Sequence, residues 1–256
     1  MNPGDARGRL SVLPTDFLSL SMPAEEDLYR VITSRYEVKT SRVEIRGEPF
    51  EMLLVRDSNA LLENVSADLF SEDERLPYWA DLWTSSIDLA GWVLEGRNVA
   101  GKNILELGSG LGLAGLAAVR AGARVTLTDY ETDALLFARY NSLRNLPRET
   151  AQHRVRCVPL DWRAPDIRQT FDVIMGADIV YERKNFGPIL AFLKSHLAPG
   201  GCALLTEPDR TIGQAFLAEA RESRLSLDHR YSSVVRDGRT HRISRMIIRH
   251  GKSETA

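Results

Sequence analysis

The stretch Asn103-Ile-Leu-Glu-Leu-Gly-Ser-Gly-Leu-Gly-Leu-Ala-Gly115 decides the fold. It opens as a short apolar run with one acid inside, continues through glycines at 108, 110 and 112, and ends in small and apolar residues. That order is strand, glycine turn, helix start. Glycines there allow a tight turn and close backbone approach, and a helix start offers N–H groups without intrahelical partners. A small ligand is therefore expected over the carboxyl end of this strand.

Downstream, β-type runs at 104–107, 124–128, 155–158, 171–177 and 202–206 alternate with helical segments that reach Asn145 and His196 and resume after Pro208. This alternation predicts a parallel sheet covered on both faces. The ending differs: 225–235 and 241–249 both read as strands, and the Asp237-Gly238 pair between them favours a tight antiparallel hairpin. Upstream, 79–95 places Trp79, Leu82, Trp83, Ile87, Ala90 and Leu94 at helical spacings, with Gly96 as the stop. Val38, Val43 and Ile45, a break at Gly47-Glu48-Pro49, then Phe50, Met52, Leu53, Leu54 and Val55 form a hairpin signal. Residues 1–23 show no sustained period. The expected organisation is a mobile arm over 1–24, an extension with a β-hairpin over 25–76, and the main α/β domain over 77–256.

The chain has 256 residues, 43% of them hydrophobic, enough for one large domain with an extension. Thirty-three basic and 35 acidic side chains leave a net charge of −2, so no overall field attracts nucleic acid or an anionic membrane, and neither is an expected partner. The basic run Arg236, Arg239, Arg242, Arg245, Arg249 and Lys252 is set against Asp237 alone; it reads either as a solvated strand face or as a contact surface for an acidic partner. The two cysteines, Cys157 and Cys202, sit in apolar runs typical of inert thiols in a reducing compartment. No apolar run approaches the roughly 18 residues that span a bilayer, which makes the cytoplasm the expected location.

Gly110, Gly112 and Gly115 spell GxGxxG, so a dinucleotide is one candidate ligand. S-adenosylmethionine is the other. It has no pyrophosphate but carries a sulfonium and an ammonium, and Glu106 supplies an acid two residues before the first glycine. Asp129 ends the second strand, where a carboxylate accepts ribose hydroxyls in either class of cofactor. Asp161 and Trp162 follow the third strand and suit an adenine site, which dinucleotide enzymes do not require there. Each carboxylate also has a structural reading as a helix cap or turn residue. Trp79 and Trp83, read on one helix, are by spacing alone core residues. The five histidines have no metal-ligand spacing, and Ser109 lacks the GxSxG setting of a nucleophile, so no metal is expected.

Five pieces carry a family resemblance: Pro77-Tyr-Trp-Ala-Asp-Leu-Trp83, Leu105-Glu-Leu-Gly-Ser-Gly-Leu-Gly112, Thr128-Asp-Tyr130, Leu160-Asp-Trp162 and Gly176-Ala-Asp-Ile-Val-Tyr-Glu182. Over about half its length, from Pro77 to Arg210, the chain resembles class I S-adenosylmethionine-dependent methyltransferases. Within them it is similar to the protein lysine methyltransferases that act on the electron-transfer-flavoprotein β-subunit and on chaperone-type ATPases. The resemblance implies a Rossmann-like sheet whose last strand is inserted antiparallel. It implies a cofactor set of Trp83, Glu106, Gly108, Gly110, Gly112, Asp129, Asp161, Trp162 and Ala177. Asp178 and Tyr181 would line the channel for the amine of a protein substrate's lysine; the structural alternative has Asp178 capping a helix and Tyr181 packing beneath it. Methyl transfer to a small molecule, under a lid from the N-terminal region, and a non-catalytic cofactor- or partner-binding scaffold are the rival functions.

Overall fold

The computed structural model describes residues 24–63, 76–95 and 99–251. Apart from Ala24, the expected arm lies outside these residues, as do Gly96 and Lys252. The extension begins with α1 (Glu25–Thr33), β1 (Val38–Ile45), β2 (Glu48–Val55) and α2 (Ser58–Glu63). The main unit runs α3 (Thr84–Leu94), β3 (Asn103–Leu107), α4 (Leu113–Arg120), β4 (Arg124–Asp129), α5 (Thr132–Asn145), α6 (Arg148–Arg154) and β5 (Val155–Pro159). It continues with β6 (Phe171–Ala177), α7 (Phe186–His196), β7 (Leu197–Glu207), α8 (Thr211–Glu222), β8 (Leu225–Arg236) and β9 (Arg239–His250).

Seven strands form one sheet in the order β5-β4-β3-β6-β7-β9-β8, parallel from β5 to β7. The last strand, β9, enters antiparallel between β7 and β8. The Asp237-Gly238 turn has both residues at positive φ, 51° and 71°, which matches the twist of the hairpin it closes. Period-2 patterning splits the apolar side chains into two cores. Ile104, Val173, Met175, Leu204 and Ile247 face α3, α4 and α5, while Leu105, Ile174, Leu205, Met246 and Ile248 face α7 and α8. Glu106 has the parity of Ile104 and therefore lies on the α4 side of the sheet.

Two expectations need correction. The helix expected over 79–95 is split: Tyr78–Ala80 is a single 3-10 turn, Asp81 is extended, and α3 begins only at Thr84. Trp79 packs instead on Tyr36 and Phe137, with ring centroids 5.6 and 5.3 Å away, so burial of its ring overrides continuation of the helix. The hairpin break falls one residue early, at Arg46-Gly47 with φ of 54° and 79°, and Glu48-Pro49 already belong to β2.

The described part of the extension docks on α5. Asn141 and Asn145, one helical turn apart, serve the open edge of β2 as a neighbouring strand would. The Leu53 and Glu51 N–H groups donate to their Oδ1 atoms at 2.8 Å, and their Nδ2 atoms donate back to the Leu53 and Glu51 carbonyls. Asn141 Nδ2 also donates to the Leu111 carbonyl at 3.1 Å, linking this edge to the glycine turn. Leu28, Ile32, Phe50 and Met52 join the same core as Leu136 and Phe137.

Candidate functional site

The sheet order reverses between β3 and β6: from β3 the chain builds outward to β4 and β5, then returns to place β6 on the other side. Ligands of open α/β sheets bind beyond the strand ends at such a point. A cleft of about 370 Å³ opens there. Trp83, Glu106, Gly108, Gly110, Gly112, Asp129, Asp161, Trp162, Ala177, Asp178 and Tyr181 all line it.

The glycine turn runs through φ values of 58°, 49° and 85° at Gly108, Gly110 and Gly112. Such values are costly for side chains other than glycine. Gly115, in the first turn of α4, is needed for a different reason: an added Cβ would come within 2.2 Å of Leu127 and 2.6 Å of the Glu106 carboxylate. That closeness lets the Gly115 N–H donate to Glu106 Oε2 at 2.8 Å. One helix-start donor that the sequence left open is therefore satisfied within the protein.

Burial holds the Glu106 carboxyl up at about 8 against an ordinary 4.5; Asp129 adds to this, and only the Gly115 bond opposes it. Folded protein thus keeps a proton that the unfolded chain has released between those values. The stability it contributes is complete below about 4.5 and is lost as pH rises to 8. Glu106→Gln keeps an acceptor for Gly115 without the ionisation. Thermal unfolding from pH 5 to 8 is expected to show the wild type losing roughly 2 to 4 kcal/mol more than this variant; parallel curves would contradict it.

Asp129 ends β4 with both oxygens engaged by backbone. Gly110 N–H donates to Oδ2 and Glu131 N–H to Oδ1, each at 2.9 Å. Burial raises its carboxyl to about 6, with the two bonds pulling the other way. The turn reading of Asp129 is therefore present, and the same side chain also braces the glycine turn. Asp161 faces Arg163, whose Nε lies 2.9 and 3.1 Å from its two oxygens. The Trp162 ring would sit 3.4 Å from a Cβ on Gly108, flooring the cleft. Trp162 Nε1 and Ser109 Oγ are buried without a hydrogen-bond partner among the described residues.

Asp178 follows β6 at a φ of 57°, its N–H donating to the Thr206 carbonyl at the end of neighbouring β7. It caps no helix. Its carboxylate takes a bidentate grip from Arg210, Nη1 to Oδ1 at 2.6 Å and Nη2 to Oδ2 at 3.0 Å. Burial raises the Asp178 pKa and Arg210 opposes this. The Tyr181 ring meets Tyr78 edge-on at 5.4 Å, and Tyr78 meets Trp83 at 6.0 Å. Trp83 Nε1 donates to the Tyr78 carbonyl at 2.7 Å, which fixes this aromatic collar. Burial pushes the Tyr181 phenol upward, and it stays neutral at physiological pH.

Arg210, Tyr78 and Ser109 also line the cleft, although sequence reading gave none of them a role. Tyr78 and Ser109 lay inside quoted motifs and were readable from their neighbours. Arg210 had no such signal, because its partner is 32 residues away on another strand end. None of residues 24–63 lines the cleft, whereas Leu76, the last residue of the expected extension, does. Among the described residues there is no cluster of three or more potential metal ligands, and no helix long and apolar enough to cross a membrane.

With this geometry in place, residues 69–222 match the family model described as "Lysine methyltransferase". The chain is 33% identical over 138 residues to "Protein N-lysine methyltransferase METTL21A" of Xenopus tropicalis, covering 52% of this chain and 63% of that relative. The Danio rerio protein of the same name is 34% identical over 171 residues, covering 63% and 75%. The first of these matches thus spans less than two thirds of the relative. Among solved structures, the glycopeptide N-methyltransferase MtfA shares the fold at a TM-score of 0.53 and 15% identity, over 64% of this chain and 95% of that one.

Proposed function

The chain belongs to the lysine methyltransferase family, matched over more than half of its length, and from that premise we propose that it transfers a methyl group from S-adenosylmethionine to a lysine of a protein substrate. The observation that carries this is the gathering of the glycine turn, Asp129 and the Asp178–Tyr181 pair in one cleft at the sheet's switch point. The similar proteins named as N-lysine methyltransferases support the same acceptor.

The residues fit the cofactor. Two buried polar atoms without partners, Ser109 Oγ and Trp162 Nε1, lie among the cleft-lining residues and suit a polar ligand. In this reading Asp129 receives the ribose hydroxyls, using acceptor capacity beyond its two backbone bonds. Asp161 and Trp162 hold the adenine, Gly108, Gly110 and Gly112 admit the ligand to the backbone, Glu106 offers a carboxyl group toward the cationic end, and Ala177 and Trp83 close the sides. When bound, the cofactor supplies a methyl carbon activated by a positive sulfur. The acceptor nitrogen's lone pair forms the new N–C bond, the C–S electrons stay on sulfur, and the product nitrogen then loses its proton. Nothing here needs a covalent enzyme nucleophile, so the protein contributes alignment and electrostatics. Asp178 orients the amine and the collar of Tyr78, Trp83 and Tyr181 bounds its path. A cytoplasmic setting accords with Cys157, a buried thiol that burial pushes up to about 11.

Asp129→Ala is expected to weaken S-adenosylhomocysteine binding by roughly 1.5 to 3 kcal/mol, the worth of charged hydrogen bonds. Calorimetric titration of the folded variant measures this, and an unchanged affinity would place the ribose elsewhere. The acceptor is tested by incubating the enzyme with labelled S-adenosylmethionine and lysate from its own source, then mapping the label by mass spectrometry. Lysine residues of a protein should carry it; label confined to small molecules or to other side chains would overturn the reading.

A further inference from the structure

Resting on the reading of the cleft as an amine-methylating site, we propose that Arg210 is a positioning residue whose guanidinium cancels the Asp178 charge, so that the acceptor nitrogen is held as a neutral amine and not trapped as ammonium.

The geometry is specific to arginine. Two N–H groups meet two carboxylate oxygens at 2.6 and 3.0 Å, a fork that a lysine's point charge does not reproduce. The arginine is itself held. Its backbone N–H lies 3.2 Å from both oxygens of the fully buried Glu207, whose carboxylate occupies the space that a Cβ on Gly213 would fill. The carboxylate is fixed from the neighbouring strand end, since Ala177 pairs with Thr206 and the Asp178 N–H donates to the Thr206 carbonyl. Guanidinium and carboxylate thus face the cleft from two turns locked side by side.

The chemical need follows from the nitrogen. An ammonium has no lone pair and cannot be methylated, and a solitary buried carboxylate beside it stabilises that inert form. Pairing with a cation that does not deprotonate removes the bias while leaving each oxygen a lone pair to accept from the amine. The other groups around the pair do not supply this cancellation. Tyr181 and Tyr78 are phenols, and Glu182, next to Tyr181, is paired with Lys184 at 3.1 Å. Asp129 stands across the cleft at the end of β4. Beside Arg210, Glu207 is raised to about 7 and Asp209 is paired with Arg242 at 3.4 Å. Ser85 is uncharged.

Sinefungin, an analogue with an amine at the methylated position, is the probe, and S-adenosylhomocysteine is its neutral reference. Calorimetry at pH 7 on the purified chain gives the ratio of their affinities. Arg210→Met is expected to raise the preference for sinefungin about tenfold, as an unbalanced carboxylate attracts the ammonium. Arg210→Lys should stay within about twofold of wild type. Asp178→Asn, which leaves the guanidinium unbalanced, should lower the preference. An unchanged ratio in an Arg210→Met protein that still binds S-adenosylhomocysteine would overturn the assignment. So would equal shifts in the Met and Lys variants. Should Arg210→Met fail to fold, Asp178→Asn decides, and a ratio that does not fall overturns it. A wild type that binds neither ligand would overturn the methyltransferase reading itself, and this assignment with it.

Discussion

An Asp178→Asn protein is expected to transfer methyl groups at least about a hundredfold more slowly than wild type while binding S-adenosylhomocysteine within about threefold of it. Asparagine is the informative substitution because residue 178 sits at a φ of 57°, a left-handed conformation that asparagine tolerates and alanine does not. An alanine would mix backbone strain with the chemical effect. The change leaves Asp129, Asp161 and the glycine turn untouched, so cofactor binding should survive. It replaces the carboxylate proposed to orient the acceptor and leaves the Arg210 charge unbalanced. Transfer of tritiated methyl to the labelled substrate, set beside calorimetric binding, separates the two effects. Unchanged transfer would leave Asp178 as no more than a structural partner of Arg210.

The strands and the glycine turn were legible because their signals are local. Alternating apolar residues at 104–107 and 171–177, three glycines in five positions, and Asp237-Gly238 between two β-type runs each mark one feature within a few residues. Ten of the eleven site residues named from the sequence converge because they lie near or just beyond the end of a strand of a parallel sheet, and the topology brings those ends together; Trp83 comes from the start of α3. Long-range partners were not legible. Trp79 and Trp83 have helical spacing, but the Trp79 ring is taken by Tyr36 and Phe137, elements away in sequence. Asn141 and Asn145 look like ordinary polar helix residues until β2 is laid against them. Strand β7 starts at Leu197, earlier than read, since Pro199-Gly200-Gly201 has the composition of a turn. Arg210 belongs to the same class: one arginine after Pro208-Asp209 carries no spacing, and its meaning comes from the strand beside it.

The basic run at the C-terminus left two readings open: among its described arginines Arg239, Arg242 and Arg249 are exposed, while Arg236 and Arg245 are partly buried. Arg236 donates to the Leu82 carbonyl and lies 3.8 Å from Asp81, and Arg242 covers the Tyr231 ring at 3.6 Å. Arg245 is the deepest. Its Nε and Nη2 meet Asp88 at 2.7 and 2.9 Å, its Nη1 meets Glu95 at 3.1 Å, and its guanidinium lies 5.2 Å from the Trp92 ring centre. Asp88 is 3% exposed and also accepts from Ser232 Oγ at 2.7 Å. The C-terminal hairpin therefore clamps the segment from Asp81 through α3, and that segment carries Trp83 at the cleft. Asp88→Ala is expected to cost about 3 to 5 kcal/mol, because the Arg245 charge keeps its burial, loses its bidentate partner and is left with only the single Glu95 contact at the partly exposed end of α3. For a domain of this size that lowers the melting temperature by roughly 6 to 20 °C. Replacing both members, as Asp88→Leu with Arg245→Met, removes the stranded charge and should cost clearly less than the single change. Thermal unfolding of the three proteins measures the difference. A single variant that loses under about 1 kcal/mol would mean that solvent already screens the pair, as it does for exposed ion pairs, and that apolar packing alone holds the hairpin on α3.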